Sequence, residues 1–160
     1  MSLHSYSRVW LHAVWGTLER RPLLTKPVAV KLSDYLHRYS AEKAIYMRIN
    51  YVNPDHVHVL VDLPTSLSIE QMMQLLKGAS SHWINESNLL PHKFGWGRGY
   101  GIFSVSHSVI GKVAEYIAEQ PEHHRKYSFR RNCGCLWSDT GSSGIRRMKP
   151  LETVSCALGR

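Results

Sequence analysis

Cysteine is scarce in this 160-residue chain, with three residues at positions 133, 135 and 156. An odd number gathered near one end is not a disulfide framework, and it points to a reducing compartment such as the cytoplasm. Long apolar runs are missing too. No stretch approaches the roughly eighteen consecutive apolar residues of a membrane span. The opening MSLHSYSRVWLHAVWG, interrupted by His4, Arg8 and His12, lacks the clean apolar centre of a signal peptide. No membrane association is expected. Acids are in short supply: 12 Asp and Glu against 20 Lys and Arg leave a formal charge of +8. Such an excess suits a polyanionic partner such as nucleic acid, and it equally suits plain solubility.

What is present is enough for one globular domain. At this length, 43% hydrophobic and 10% aromatic residues can build a proper core. Arg8 to Trp15 is apolar and β-prone, a strand buried on both faces that Gly16 ends. Past the charged turn Glu19-Arg20-Arg21-Pro22, Pro27 opens a helix on which Val28, Leu32, Tyr35, Leu36 and Tyr39 share helical spacing. Strands near 44–52 and 56–63 flank Asn53-Pro54-Asp55, a hairpin signal. Ser68 with Gln71 makes a capping box for a second helix carrying Ile69, Met72, Met73, Leu76, Ala79, Trp83 and Ile84. A Gly- and aromatic-rich loop over 91–101 leads to a strand at 102–106. Ser108 is the expected cap of a last helix, 109–120, which Pro121 stops. The order strand, helix, strand, strand, helix, strand and a further helix is that of an α+β, ferredoxin-like split βαβ fold. It predicts an antiparallel sheet with helices on one face plus a C-terminal tyrosine-bearing helix.

The stretch PDHVHVLV at residues 54–61 carries the first chemical clue. In a strand, His56 and His58 share one face while Val57, Val59 and Val61 share the other. Alone, the pair reads equally well as outward positions of a half-exposed strand. The last helix holds the second clue, since Tyr116 and Gln120 lie four apart on one helical face. In isolation they are a rim aromatic and a polar helix end. Taken together with the histidines, two imidazoles and an amide oxygen make a three-ligand site with open positions, suited to Mn2+ or to Mg2+ with retained waters. Such a cation polarises a phosphoryl oxygen. A tyrosine one turn from a ligand is then placed as a nucleophile, and its ordinary pKa of about 10 calls for local help.

These residues carry a family resemblance. His56-Val57-His58 fits the histidine–hydrophobic–histidine motif of the HUH endonuclease superfamily. Leu-Lys-Gly at 76–78, the Trp-Gly-Arg-Gly-Tyr loop and Tyr-Ile-Ala-Glu-Gln-Pro-Glu-His-His-Arg-Lys at 116–126 resemble one branch of it. That branch is the single-tyrosine transposases of small bacterial insertion sequences, of the two-hundred and REP-associated types. The likeness runs over roughly residues 6–129 with the motifs in order. It implies a DNA transposase that cleaves and rejoins single-stranded DNA at element ends. Tyr116 would attack a backbone phosphate to leave a 5′-phosphotyrosine link and a free 3′-hydroxyl, with His56, His58 and Gln120 holding Mg2+ or Mn2+. A second 3′-hydroxyl would resolve the link, so no nucleotide cofactor is needed. Family members recognise hairpin ends and work as homodimers, and in some the tyrosine helix of one subunit completes the metal site of the other. One tyrosine makes one link while excision needs two cuts, which independently favours a dimer. The setting implied is the bacterial cytoplasm, at the nucleoid.

Lys77, Lys93, Arg98, Arg125 and Lys126 are candidates for phosphate contacts, and Trp96 and Tyr100 for stacking on unpaired bases. Each reads as readily as a solvated charge or a packed aromatic. His123 and His124 are read as helix-end polar residues. The resemblance divides the chain into a catalytic domain, 1–129, and a divergent basic tail, 130–160, expected to be poorly ordered. The tail carries six Lys and Arg against two acids, half of the net charge. Cys133 and Cys135 have one intervening residue and no second pair, which disfavours zinc. Two other readings remain. One is a catalytically impaired relic or repressor that still binds hairpin DNA. The other is a replication initiator or relaxase, disfavoured by the small size and lone tyrosine.

Overall fold

The computed structural model describes residues 6–120. The basic tail, its three cysteines, His123, His124, Arg125 and Lys126 lie outside the described residues. Four strands, β1 (Trp10–Gly16), β2 (Tyr46–Val52), β3 (His56–Asp62) and β4 (Gly101–Ser104), form one sheet in the order β2-β3-β1-β4. Every neighbouring pair is antiparallel. Helix α1 (Lys26–Glu42) carries the chain from β1 past β3 to β2, and α2 (Ile69–Glu86) carries it from β3 toward β4. This is the split βαβ arrangement expected from the sequence, followed by α3 (Ile110–Ala118).

Local chemistry sets the helix ends. Pro27 occupies the first turn of α1, where a missing N–H costs no intrahelical bond. The α1 C-terminus is a Schellman turn: Ile45 N–H donates to Ser40 O at 2.8 Å and Ala44 N–H to Ala41 O at 3.0 Å. Ala44 sits there at φ 57°, a conformation glycine adopts without penalty. Helix α2 starts at the capping box, with Ser68 Oγ accepting from Gln71 N–H at 3.1 Å and Gln71 Oε1 from Ser68 N–H at 2.8 Å. A helix is also present at 110–118, but Ser108 does not cap it. A 3-10 turn over His107–Val109 precedes α3, and the hydroxyls of Ser106 and Ser108 satisfy each other at 3.1 Å.

Strand alternation divides the side chains between two layers. Leu11, Ala13 and Trp15 of β1 and Val57, Val59 and Val61 of β3 join Leu32, Leu36, Met72, Met73, Leu76 and Ile84 in the main core. Burying a side chain such as Leu32 contributes about 1.5–3 kcal/mol. The opposite sheet face carries a smaller cluster in which Trp10 and Leu60 pack against Ile110 and Ile117 of α3. The histidine face of β3 is thus roofed by α3, and His56 and His58 are 0% and 3% exposed rather than half-exposed.

Candidate active site

His56 and His58 point from β3 to the α3 side of the sheet, with ring centroids 5.0 Å apart. On the neighbouring strand β1, alternation puts His12 on that same face. His12 Nε2 lies 2.9 Å from His58 Nδ1, and the two rings are stacked at 5.2 Å. Tyr116 descends from α3 with its ring 6.2 Å from both His12 and His58, edge-on to each. Gln120 follows the end of α3 and is buried, its Nε2 donating to Tyr116 O at 3.2 Å. That bond uses the amide nitrogen and leaves Oε1 as the side chain's acceptor atom.

The two imidazoles of β3 have different supports. His56 Nδ1 lies 2.6 Å from Asp55 Oδ1, while Asn53 Nδ2 lies 3.1 Å from His56 Nε2. An amide nitrogen only donates, so Nε2 accepts and the His56 proton resides on Nδ1. Asp55 Oδ2 in turn meets Arg20 Nη2 at 3.2 Å. Burial would raise the Asp55 carboxyl, but the hydrogen bond from His56 and the charge of Arg20 outweigh it and hold the carboxyl below its ordinary value. Burial also pushes His12 down to about 4, which keeps it neutral near pH 7. A neutral His12 can accept from His58 Nδ1–H, and His58 Nε2 is then its lone-pair nitrogen.

This donor set fits a divalent cation. A carboxylate on the far nitrogen of a ligating histidine fixes tautomer and ring orientation and raises basicity, and Asp55 stands in that relation to His56. Among the described residues, no group of three or more His, Cys, Asp or Glu side chains is arranged to hold a metal ion. Gln120, buried at the end of the tyrosine helix, would offer an amide oxygen as a further donor of the kind such cations accept.

The expected DNA-contact residues separate into two groups. Lys93, Arg98 and Tyr100 are exposed. Lys77 is different: its Nζ donates to the carbonyls of Gly97, Arg98 and Gly99 at 2.8, 3.3 and 3.1 Å, so its charge holds the glycine loop together. Desolvation in that position lowers the Lys77 pKa. Trp96 also differs from its stacking role, since its ring packs edge-on against Trp15 and Phe94 and its N–H donates to Ser80 Oγ at 3.0 Å. Sequence reading missed His12, Asp55, Asn53 and Arg20 as parts of this site. The alternation of β1 carried a signal for His12, and the Asn-Pro-Asp turn hid the other two neighbours of His56.

A family model described as "Transposase IS200 like" matches residues 5–120. The ISDra2 transposase TnpA of Deinococcus radiodurans is 29% identical over 114 residues, covering 68% of this chain and 81% of that one. The transposase for insertion sequence element IS200 of Salmonella typhimurium is 33% identical over 76 residues, 44% of this chain, and the match spans about half of that protein, 49%. A crystal structure from Deinococcus radiodurans R1, described as that of a transposase, superposes with TM-score 0.60 at 25% identity, over 75% of this chain and 96% of its own. A REP-associated tyrosine transposase bound to a REP hairpin shares the fold at TM-score 0.54 and 15% identity, over 95% of this chain and 100% of its own. With a match that takes in both histidines, Tyr116 and Gln120, this chain belongs to the IS200-like transposase family.

Proposed function

We propose that the protein cleaves and rejoins single-stranded DNA at the ends of an insertion element, with Tyr116 as nucleophile and His56, His58 and Gln120 as ligands of Mg2+ or Mn2+. One observation carries this reading: within a single chain, the ring of Tyr116 lies 6.2 Å from that of His58, on the sheet face that also presents His56. The bound cation would supply charge stabilisation at the scissile phosphate. The chain's own residues do the remainder. Asp55 and His12 orient the two imidazoles through Nδ1, and Gln120 is tied back to Tyr116 O. Tyr116 gives up its hydroxyl proton and its oxygen bonds to phosphorus. The 3′ oxygen of the preceding nucleotide departs and takes a proton. A 3′-hydroxyl from another end reverses the step, restoring a phosphodiester and the free tyrosine.

The partner proposed is single-stranded DNA bearing a hairpin, on the strength of the basic charge and of the relative described as bound to a REP hairpin. Exposed Lys93, Arg98 and Tyr100 are its nearest candidates, joined by Arg125 and Lys126. The working form is a homodimer in the bacterial cytoplasm at the nucleoid, with residues 1–129 as the catalytic unit and 130–160 as a basic appendage. Among the described residues, no helix is long and apolar enough to cross a membrane.

The test is a covalent-adduct assay. The protein is incubated with single-stranded DNA from the flanks of its own gene, with and without Mn2+, and resolved by denaturing gel and intact mass. A metal-dependent adduct lost in both Tyr116→Phe and His56→Ala supports the reading. Hairpin binding with no adduct in the wild type overturns it in favour of a DNA-binding relic.

A further inference from the structure

The turn that follows β1 is held in a costly shape. Leu18–Arg20 form one 3-10 turn, and two of its three residues lie in the left-handed region, Glu19 at φ 55° and Arg20 at φ 57°. Neither is a residue that tolerates that region well. Such backbone persists only where its surroundings over-determine it. Here Thr17 N–H donates to Asp55 O at 2.8 Å, Leu18 N–H to Gly95 O at 3.0 Å and Arg20 N–H to Thr17 O at 3.0 Å. Thr17 Oγ1 donates to Arg21 O at 2.7 Å.

The turn doubles the chain back so that the Arg20 side chain lies on Gly16. A Cβ at position 16 would come within 2.5 Å of Arg20 Nη1 and 2.9 Å of its Cδ, so the arginine side chain would have to shift to make room for one. Gly16 is the ladder partner of His56 on the neighbouring strand. From this seat Arg20 reaches Asp55 Oδ2 at 3.2 Å, and the other oxygen, Oδ1, is the one that meets His56 Nδ1 at 2.6 Å. The ion pair is part-exposed, at 37% and 26%, and pairs of that kind add little to stability. The bonds of Thr17, Leu18 and Arg20 are what hold the two left-handed residues in place.

We propose that Arg20 is a positioning residue for the metal site. Seated over Gly16 by the strained turn, it anchors Asp55 through one carboxylate oxygen while the other meets His56, keeping the imidazole proton on Nδ1, so that Nε2, which accepts from Asn53 here, is the nitrogen a cation would take in its place. The inference deepens the metal-site reading above and rests on it. Without Arg20, the Asp55 carboxylate loses its second anchor and can rotate, so His56 is oriented less firmly.

The test uses the full chain without DNA. Wild type, Arg20→Ala, Arg20→Lys and Gly16→Ala are compared by NMR of the His56 Nδ1 proton in metal-free protein and by Mn2+ titration. In wild type the short bond to a carboxylate places that proton far downfield and slows its exchange with water. Arg20→Ala should move it upfield, speed its exchange and weaken Mn2+ binding at least tenfold, about the lower end of the effect of an outer ligand partner. Gly16→Ala, which pushes the guanidinium aside, should reproduce Arg20→Ala. Arg20→Lys restores charge without the planar fork and should fall between. An Arg20→Ala protein with wild-type proton signal and Mn2+ affinity overturns the proposal. A wild type that takes up no Mn2+ defeats the metal reading instead, and the Nδ1 proton signal still decides whether Arg20 orders His56.

Discussion

His12 on β1 and His58 on β3 are joined ring to ring, Nε2 to Nδ1 at 2.9 Å, and this bond crosses the central ladder of the sheet. It makes His12 the counterpart, for His58, of what Asp55 is for His56. A chain carrying His12→Phe keeps an aromatic ring in place and loses the acceptor. We expect its Mn2+ affinity to fall about 10- to 100-fold with little change in secondary structure. Mn2+ titration followed by circular dichroism decides it, and unchanged affinity would sink the assignment.

The same histidine gives the metal-free fold a pH dependence with a definite sign. Its pKa is about 4 when folded against 6.5 for the ordinary group. Between those values the unfolded chain binds a proton that the folded chain refuses, so acidification favours unfolding. The contribution is fully present above about pH 6.5 and is lost progressively toward pH 4, by about 3 kcal/mol at most. Urea midpoints taken in EDTA at pH 7 and pH 5 should drop more for wild type than for His12→Gln. Equal drops would contradict the burial argument.

Ala44 offers a stabilising substitution remote from the site. It closes α1 in a left-handed conformation where its Cβ is a liability. Ala44→Gly should raise stability by about 1 kcal/mol, the left-handed penalty that glycine escapes, less the entropy that glycine adds to the unfolded chain. Thermal unfolding reads the sign directly.

Lys77 and Arg98 should part company under salt. Lys77→Met removes the ammonium that three loop carbonyls share, and we expect a loss of about 1–2 kcal/mol and faster amide exchange across 97–100. Arg98→Ala should leave stability alone, weaken single-stranded DNA binding and reduce the salt slope of affinity by about 0.7. A matching slope change in Lys77→Met would show that Lys77 also touches phosphate.

Much of this molecule could be read from residue order. Two-residue alternation in PDHVHVLV separated Val57, Val59 and Val61 from His56 and His58, and the core lies on the valine side. Ser68 and Gln71 announced α2, and Pro27 announced α1. What stayed hidden depends on register between strands. Nothing local to Trp10–Gly16 tells that His12 comes to rest against a histidine 46 positions later. Asp55 was legible only as a turn residue, because a turn uses its backbone while its side chain answers to His56 and Arg20. Trp96 and Lys77 have the composition of a nucleic-acid contact, and their donors also serve the fold, through Ser80 Oγ and the loop carbonyls.

Helix α3 lies over the sheet of its own chain, so the tyrosine and the histidines it covers belong to one polypeptide. If the proposed dimer keeps this arrangement, with each Tyr116 serving the histidines of its own chain, two inactive alleles should not complement each other. A mixed assembly of one subunit bearing Tyr116→Phe and another bearing His56→Ala contains no intact centre, and co-expressing the two dead alleles should rescue nothing. In the proposed homodimer, an inactivating mutation in this constellation would act dominantly, because one defective copy would leave one end of the element uncut.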